Sequence, residues 1–217
     1  MLRSLALLFA GAALLSAADY RSDFAPDPKN LGTTGSNPYF ILTPGYKLYF
    51  TEGATHSTMT VLSEIVIIDG VQCRVVVDRE EKDGKPVEIT RDYYAIDSTT
   101  GDVYYFGEDV DVYKNGQVAS HEGSWRSGVG GAKYGLMMPG KIVKGDRFAQ
   151  ERAPQQKAMD RSEVISLSEK VATPAGEFDC VHFKDSSAIE KAVDHKWYAK
   201  DVGLVKDGKA VLVKVER

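Results

Sequence analysis

The chain has 217 residues, a net charge of −4 at pH 7 and 43% hydrophobic residues, enough for one domain with a sizeable core. A modestly acidic balance excludes a nucleic-acid binder, whose footprint is a basic patch. After residue 18 no apolar run reaches the length of a membrane span, so no transmembrane segment is expected in the mature chain.

Residues 1–18 read as a signal peptide. Arg3 gives a positive start, Leu5 to Leu15 is an apolar run too short to cross a bilayer, and Ser16-Ala17-Ala18 offers small residues for cleavage. The protein is therefore expected to be exported, to a periplasm or the extracellular medium. Residues 19–38, with Pro26, Pro28, Gly32, Gly35 and Pro38, read as an extended or disordered lead-in. Residues 39–217 are expected to form a single β domain.

Strand patterns follow in close order. Tyr46–Thr51 alternates, and Ser57–Ile68 ends at the hairpin signal Asp69-Gly70. Val71–Glu81 ends at Asp83-Gly84, and Val87–Asp97 at Ser98-Thr99-Thr100-Gly101. Val103–Tyr113 ends at Asn115-Gly116, and Gln117–Glu122 completes an antiparallel meander. Gly123–Gly140 then reads as one long glycine-rich loop. Strands resume at 146–152, 163–172, 177–184, 195–199, 203–206 and 210–215, with only Gln155–Ser162 suited to a helical turn. The fold class is all-β: a strongly curved antiparallel sheet or incomplete β-barrel, with a two-sheet sandwich as the alternative.

The densest chemistry lies in residues 88–111. A four-residue turn at Ser98–Gly101 pairs Asp97 with Asp102, Asp92 with Gly107 and Glu88 with Asp111. Glu88, Asp92, Asp109 and Asp111 then share one face. Four carboxylates on one face repel unless solvated, protonated or bridged by a cation. They are candidate ligands for Ca²⁺, or an acid/base pair with one raised pKa, against a plain solvated acidic face. No cofactor is otherwise expected. Tyr93, Tyr104 and Phe106 fall on the opposite, aromatic face. With Trp125, Tyr134 and Met137 of the glycine-rich loop they are candidate contacts for a small apolar or amphipathic ligand.

His56, His121, His182 and His195 form no local metal spacing, and Ser124 and Ser127 lack a nucleophile-elbow frame. Cys73 and Cys180 sit in strand-like runs. In an oxidising compartment they form one disulfide or remain two buried thiols. Low charge and the absence of heptads suggest a monomer.

Asn37-Pro38-Tyr39-Phe40-Ile41-Leu42-Thr43-Pro44-Gly45 resembles the opening of a family of exported bacterial proteins of unknown function. The resemblance returns at Thr90–Asp97, Tyr104–Asp109, Gly123-Ser124-Trp125, Gly131-Ala132-Lys133 and Tyr198–Val205. It departs at Ala158-Met159-Asp160-Arg161, where the family pattern carries one more carboxylate. Thr173–Cys180 is also similar to lipoprotein-carrier half-barrels, which hold acyl chains. The preferred expectation is a non-enzymatic module binding its ligand under the 123–140 loop, with a dry interior lined by Tyr93, Tyr104, Phe106 and Trp125. The alternatives are a secreted or periplasmic hydrolase or cation-binding protein using the acidic hairpin 88–111, through Asp92 and Asp109 or a bound cation, and a structural or interaction domain without a pocket.

Overall fold

The computed structural model describes residues 19–189, 191 and 193–217; the signal peptide expected at 1–18 lies outside the described residues. In chain order the strands are β1 (Leu31–Gly32), β2 (Lys47–Glu52), β3 (Thr55–Ile68), β4 (Val71–Lys82), β5 (Lys85–Asp97), β6 (Val103–Lys114), β7 (Gln117–Ser120) and β8 (Trp125–Arg126). They continue with β9 (Lys133–Met138), β10 (Arg147–Ala149), β11 (Glu151–Arg152), β12 (Asp160–Thr173), β13 (Gly176–Ser187), β14 (Val193–Ala199), β15 (Gly203–Asp207) and β16 (Ala210–Glu216). Helical structure among the described residues is one short turn, Pro154–Gln156.

The hairpin turns form where the sequence supplies residues for them. Asp69-Gly70, Asp83-Gly84 and Asn115-Gly116 take positive φ at both positions, from 51° to 78°, as a type I′ turn requires. Asp97 closes the next turn: its Oδ1 accepts from the backbone N–H of Thr99 at 2.8 Å and from the Thr99 hydroxyl at 2.6 Å.

The strands join into one antiparallel sheet in the order β10-β12-β13-β14-β15-β16-β2-β3-β4-β5-β6-β9-β11. The sheet curls into a nearly closed barrel. Its two ends meet where the Gln150 N–H donates to the Asp160 carbonyl at 2.8 Å and Ala153 bridges Ala158. Closure leaves few edges exposed to stray pairing.

The lead-in, expected to be extended or disordered, is held by strand pairing: β1 pairs with Asp97 and Ile96 of β5, and Arg21 bridges Phe148. Asn37 is buried and donates to the carbonyls of Gly101 (2.8 Å) and Pro139 (3.2 Å). These bonds satisfy backbone groups that a polar composition alone leaves unassigned. One expectation is corrected here: 123–140 is not a single loop, because it contributes β8 and β9, both paired to β6.

Cys73 and Cys180 are not bonded. Both thiols are free and buried, and five strands separate β4 from β13 in the sheet. Burial pushes Cys73 up to about 12 and Cys180 to about 11, so neither is a reactive thiolate. Iodoacetamide treatment without reductant is expected to add two labels to the unfolded protein and none to the folded one. A mass showing no label after unfolding contradicts the unbonded thiols.

Candidate functional site

The barrel holds a cavity of about 640 Å³ that opens to solvent. Strand alternation sends every second side chain into it. β4 contributes Val76, Asp78 and Glu80, and β5 contributes Glu88, Thr90, Asp92 and Tyr94. β2 and β3 supply Leu48, Phe50, Met59 and Val61, while β14 supplies Lys196 and Tyr198.

The registers turn these side chains into rows. Val61 lies opposite Val76, which lies opposite Asp92, which lies opposite Glu108. In the next row Leu48, Met59, Asp78 and Thr90 follow one another across β2 to β5. The wall is therefore apolar at Leu48, Phe50, Met59 and Val61 of β2 and β3, polar at their ends with Glu52 and Ser57, and acidic from β4 through β6. Ten carboxylate residues and two lysines line the cavity as a whole.

A β-bulge decides which carboxylates face inward. From the turn to Tyr94↔Tyr105 the pairing follows the register read from the sequence, but Tyr93 pairs with Gly107 and Asp92 with Glu108. One extra residue at Phe106 shifts everything beyond it by one, and each shifted side chain changes face. Gly107 has φ +140°, and a Cβ there would collide with the Trp125 carbonyl of β8. Glycine thus permits both the bulge and the approach of β8.

The consequence corrects the predicted acidic face. Glu88 and Asp92 line the cavity, whereas Asp109 and Asp111 lie on the outer face. Asp109 accepts from Arg126 (2.6 Å) and from the Tyr93 hydroxyl (2.6 Å). Burial raises its pKa, but those two bonds outweigh burial and hold it below the ordinary value. Asp111 lies 2.8 Å from His121 Nδ1. Glu108, assigned to the aromatic face by the unshifted register, is the inward carboxylate instead. The four candidate Ca²⁺ ligands are therefore not brought together. Among the described residues no group of three or more His, Cys, Asp or Glu side chains is placed to hold a metal ion.

The predicted ligand contacts also divide. Of the six, only Met137 lines the cavity. Tyr104, Phe106 and Tyr134 form an outer aromatic cluster with Phe24, with ring centroids 4.6 to 6.0 Å apart. Tyr93 lies under Arg126, 5.0 Å from its guanidinium. Trp125 packs edge-on against Tyr105 at 5.3 Å without lining the cavity. The interior is not the chamber lined by Tyr93, Tyr104, Phe106 and Trp125 expected from the sequence, because the opposite face of β5 and β6, carrying Thr90, Asp92, Tyr94 and Tyr105, is the one that lines the cavity.

Burial shapes the protonation of this wall. Asp92 is 7% exposed. Burial first, then repulsion from Glu108, pushes it up to about 7, against the Tyr105 hydroxyl that donates to its Oδ1 at 2.6 Å. Asp78 rises to about 7 by burial and by the charges of Asp92 and Asp207. Glu108 rises to about 7 by burial, opposed by Tyr105. Glu151 reaches about 8, by burial first and then by the charge of Asp160. Among the described residues none of these four forms an ion pair. Lys196 is the contrasting case: burial disfavours its charge, but Asp207 and Asp185, 3.6 and 3.5 Å away, hold it well above the usual lysine range.

The fold also gathers residues far apart in sequence outside the cavity. His182 Nε2 lies 2.7 Å from His195 Nδ1, Glu169 Oε1 lies 3.0 Å from His182 Nδ1, and Trp197 donates to Glu169 Oε2 at 2.8 Å. Only the pairing of β12, β13 and β14 makes this cluster, and no local spacing announces it.

A family model described as DUF3108-like matches residues 144–209. The match includes Lys196 and Asp207 and leaves the bulged β5–β6 hairpin outside. No curated protein matches. A protein from Bacteroides fragilis, assigned as exported and with a YmcC-like fold, is similar at 12% identity and a TM-score of 0.45, over 83% of this chain and 100% of that one. A protein from Parabacteroides distasonis, assigned as a lipoprotein, is similar at 15% identity and a TM-score of 0.41, over 84% of this chain and 100% of that one.

Proposed function

We propose that this is an exported binding module that holds a small amphipathic molecule inside the barrel. The observation that carries the reading is the divided wall of the 640 Å³ cavity, with the apolar patch Leu48, Phe50, Met59 and Val61 on β2 and β3 and carboxylates on β4 to β6. A volume of that size falls in the range of small-molecule sites. Leu48, Phe50 and Val61 offer contact to an apolar body, and Asp92 and Glu108 offer contact to a polar end. Export rests on the composition of residues 1–18.

Native mass spectrometry of gently purified protein, compared with its denatured mass, tests this. A co-purifying organic mass is expected. Met59→Trp, which adds bulk from the apolar wall, is expected to abolish it. Equal native and denatured masses, with no shift on adding medium-chain amphiphiles, contradict the reading.

A hydrolase is the second reading, with Glu108 replacing Asp109 as the partner of Asp92. Two cross-strand carboxylates near pKa 7 suit general acid/base work. It differs in predicting turnover: the bound species converts to product, and Asp92→Asn stops conversion without releasing it.

A further inference from the structure

Resting on the binding reading, we propose that the polar end of the ligand is an ammonium group, seated among Asp78, Asp92 and Glu108, with its apolar body along Leu48, Phe50 and Val61. The cavity already holds one ammonium in this manner. Lys196 Nζ sits between Asp185 and Asp207 at 3.5 and 3.6 Å. The wall of β4 to β6 presents the same type of group with no ion pair among the described residues: Lys196 pairs with Asp185 and Asp207, and its charge on Asp78 and Asp92 weighs less than their burial. Asp92 is more than nine-tenths buried and lines the cavity. Its Oδ1 takes the Tyr105 hydroxyl, and among the described residues its Oδ2 has no hydrogen-bond partner. An unpartnered oxygen inside a chamber, adjacent in the sheet to Glu108 and diagonal to Asp78, is an acceptor site for a donor brought from outside.

Tyr94, Tyr105 and Tyr198 line the same chamber, and aromatic faces favour cations. An anionic head meets ten carboxylate residues against two lysines and is repelled. An amine with an apolar tail satisfies both walls.

Seating an ammonium requires ionised carboxylates, so binding releases protons. The titratable groups that line the cavity with Asp92 are Tyr39, Tyr46, Glu52 on β2, Asp78 and Glu80 on β4, Glu88 and Tyr94 on β5, and Tyr105 and Glu108 on β6. From the other side come Glu151, Asp160, Lys157, Asp194, Lys196, Tyr198 and Asp207. All but the lysines and tyrosines are acids, so deprotonation strengthens the seat. With midpoints near 7, affinity is expected to rise about tenfold or more between pH 6 and pH 8.5.

Isothermal titration with n-decylammonium, decanoate and decyl glucoside, each below its micelle concentration, at pH 6 and pH 8.5, tests the inference. The expected result is binding of decylammonium at least about tenfold tighter at pH 8.5. Decanoate is expected to bind at least about a hundredfold more weakly. Asp92→Asn and Glu108→Gln, each checked for folding by its melting curve, are expected to weaken the amine about tenfold. Decanoate or decyl glucoside binding as tightly as the amine overturns the inference and leaves the amphipathic cavity standing. Equal amine affinity at both pH values overturns the seat. No binding by any of the three probes contradicts the binding reading itself.

Discussion

Replacing Asp92 by Asn is expected to raise the melting temperature at pH 8 by about 5–10 °C and to leave it nearly unchanged at pH 4. Asp92 is buried and its carboxyl is pushed up to about 7. In the unfolded chain it ionises near pH 4. Below that value both states are protonated and the group is neutral to folding. As pH rises from about 4 to 7 the unfolded chain loses the proton while the folded one keeps it, so folding stability falls. A shift of about three units corresponds to about 4 kcal/mol above pH 7. The amide removes the charge but remains a buried polar group, so about 2–3 kcal/mol is recovered. Its oxygen still accepts from Tyr105. At about 2–4 °C per kcal/mol for a chain of this size, the stated rise follows. Asp78, Glu108 and Glu151 act with the same sign, so the unaltered protein should melt lower at pH 8 than at pH 5. Thermal melts by circular dichroism at the three pH values measure this. Destabilisation at pH 8 contradicts a buried, uncompensated carboxylate.

Gly107→Ala is expected to cost about 3 kcal/mol or more, against about 1 kcal/mol for Gly84→Ala. Both glycines have positive φ, +140° and +71°. A methyl group on Gly84 meets open space, whereas on Gly107 it meets the Trp125 carbonyl and the Arg126 Cα. The substitution must displace β8 or remove the bulge. Removing the bulge turns Glu108 outward and brings Asp109 into the cavity. Urea denaturation of the two variants compares them directly. Equal midpoints contradict the close approach of β8 to β6.

Much of the architecture is legible because turn chemistry is local. Asp69-Gly70, Asp83-Gly84 and Asn115-Gly116 mark three hairpins, and the strands between them lie within a few residues of the alternating runs. The β5–β6 pairing is legible from Ile96↔Val103 to Tyr94↔Tyr105, because the turn fixes it. Beyond Phe106 it is not, since a bulge depends on β8 packing against Gly107 and no local pattern announces that contact. The misplacement of Asp109, Asp111 and Glu108 follows from that single residue. Asp78 and Lys196 were missed for another reason. They come from strands without unusual composition and meet only when the barrel curls. Asn37 makes the same point at the N-terminal side: its bonds reach Gly101 and Pro139, 64 and 102 residues away.

The most direct measurement is a pH titration of side-chain carboxyl carbons by ¹³C NMR, assigned with Asp92→Asn and Glu108→Gln. The expected result is midpoints near 7 for Asp78, Asp92 and Glu108 and near 8 for Glu151. Titration of all four below about pH 5, the ordinary range for solvated carboxylates, contradicts a buried acidic wall and, with it, the ammonium seat.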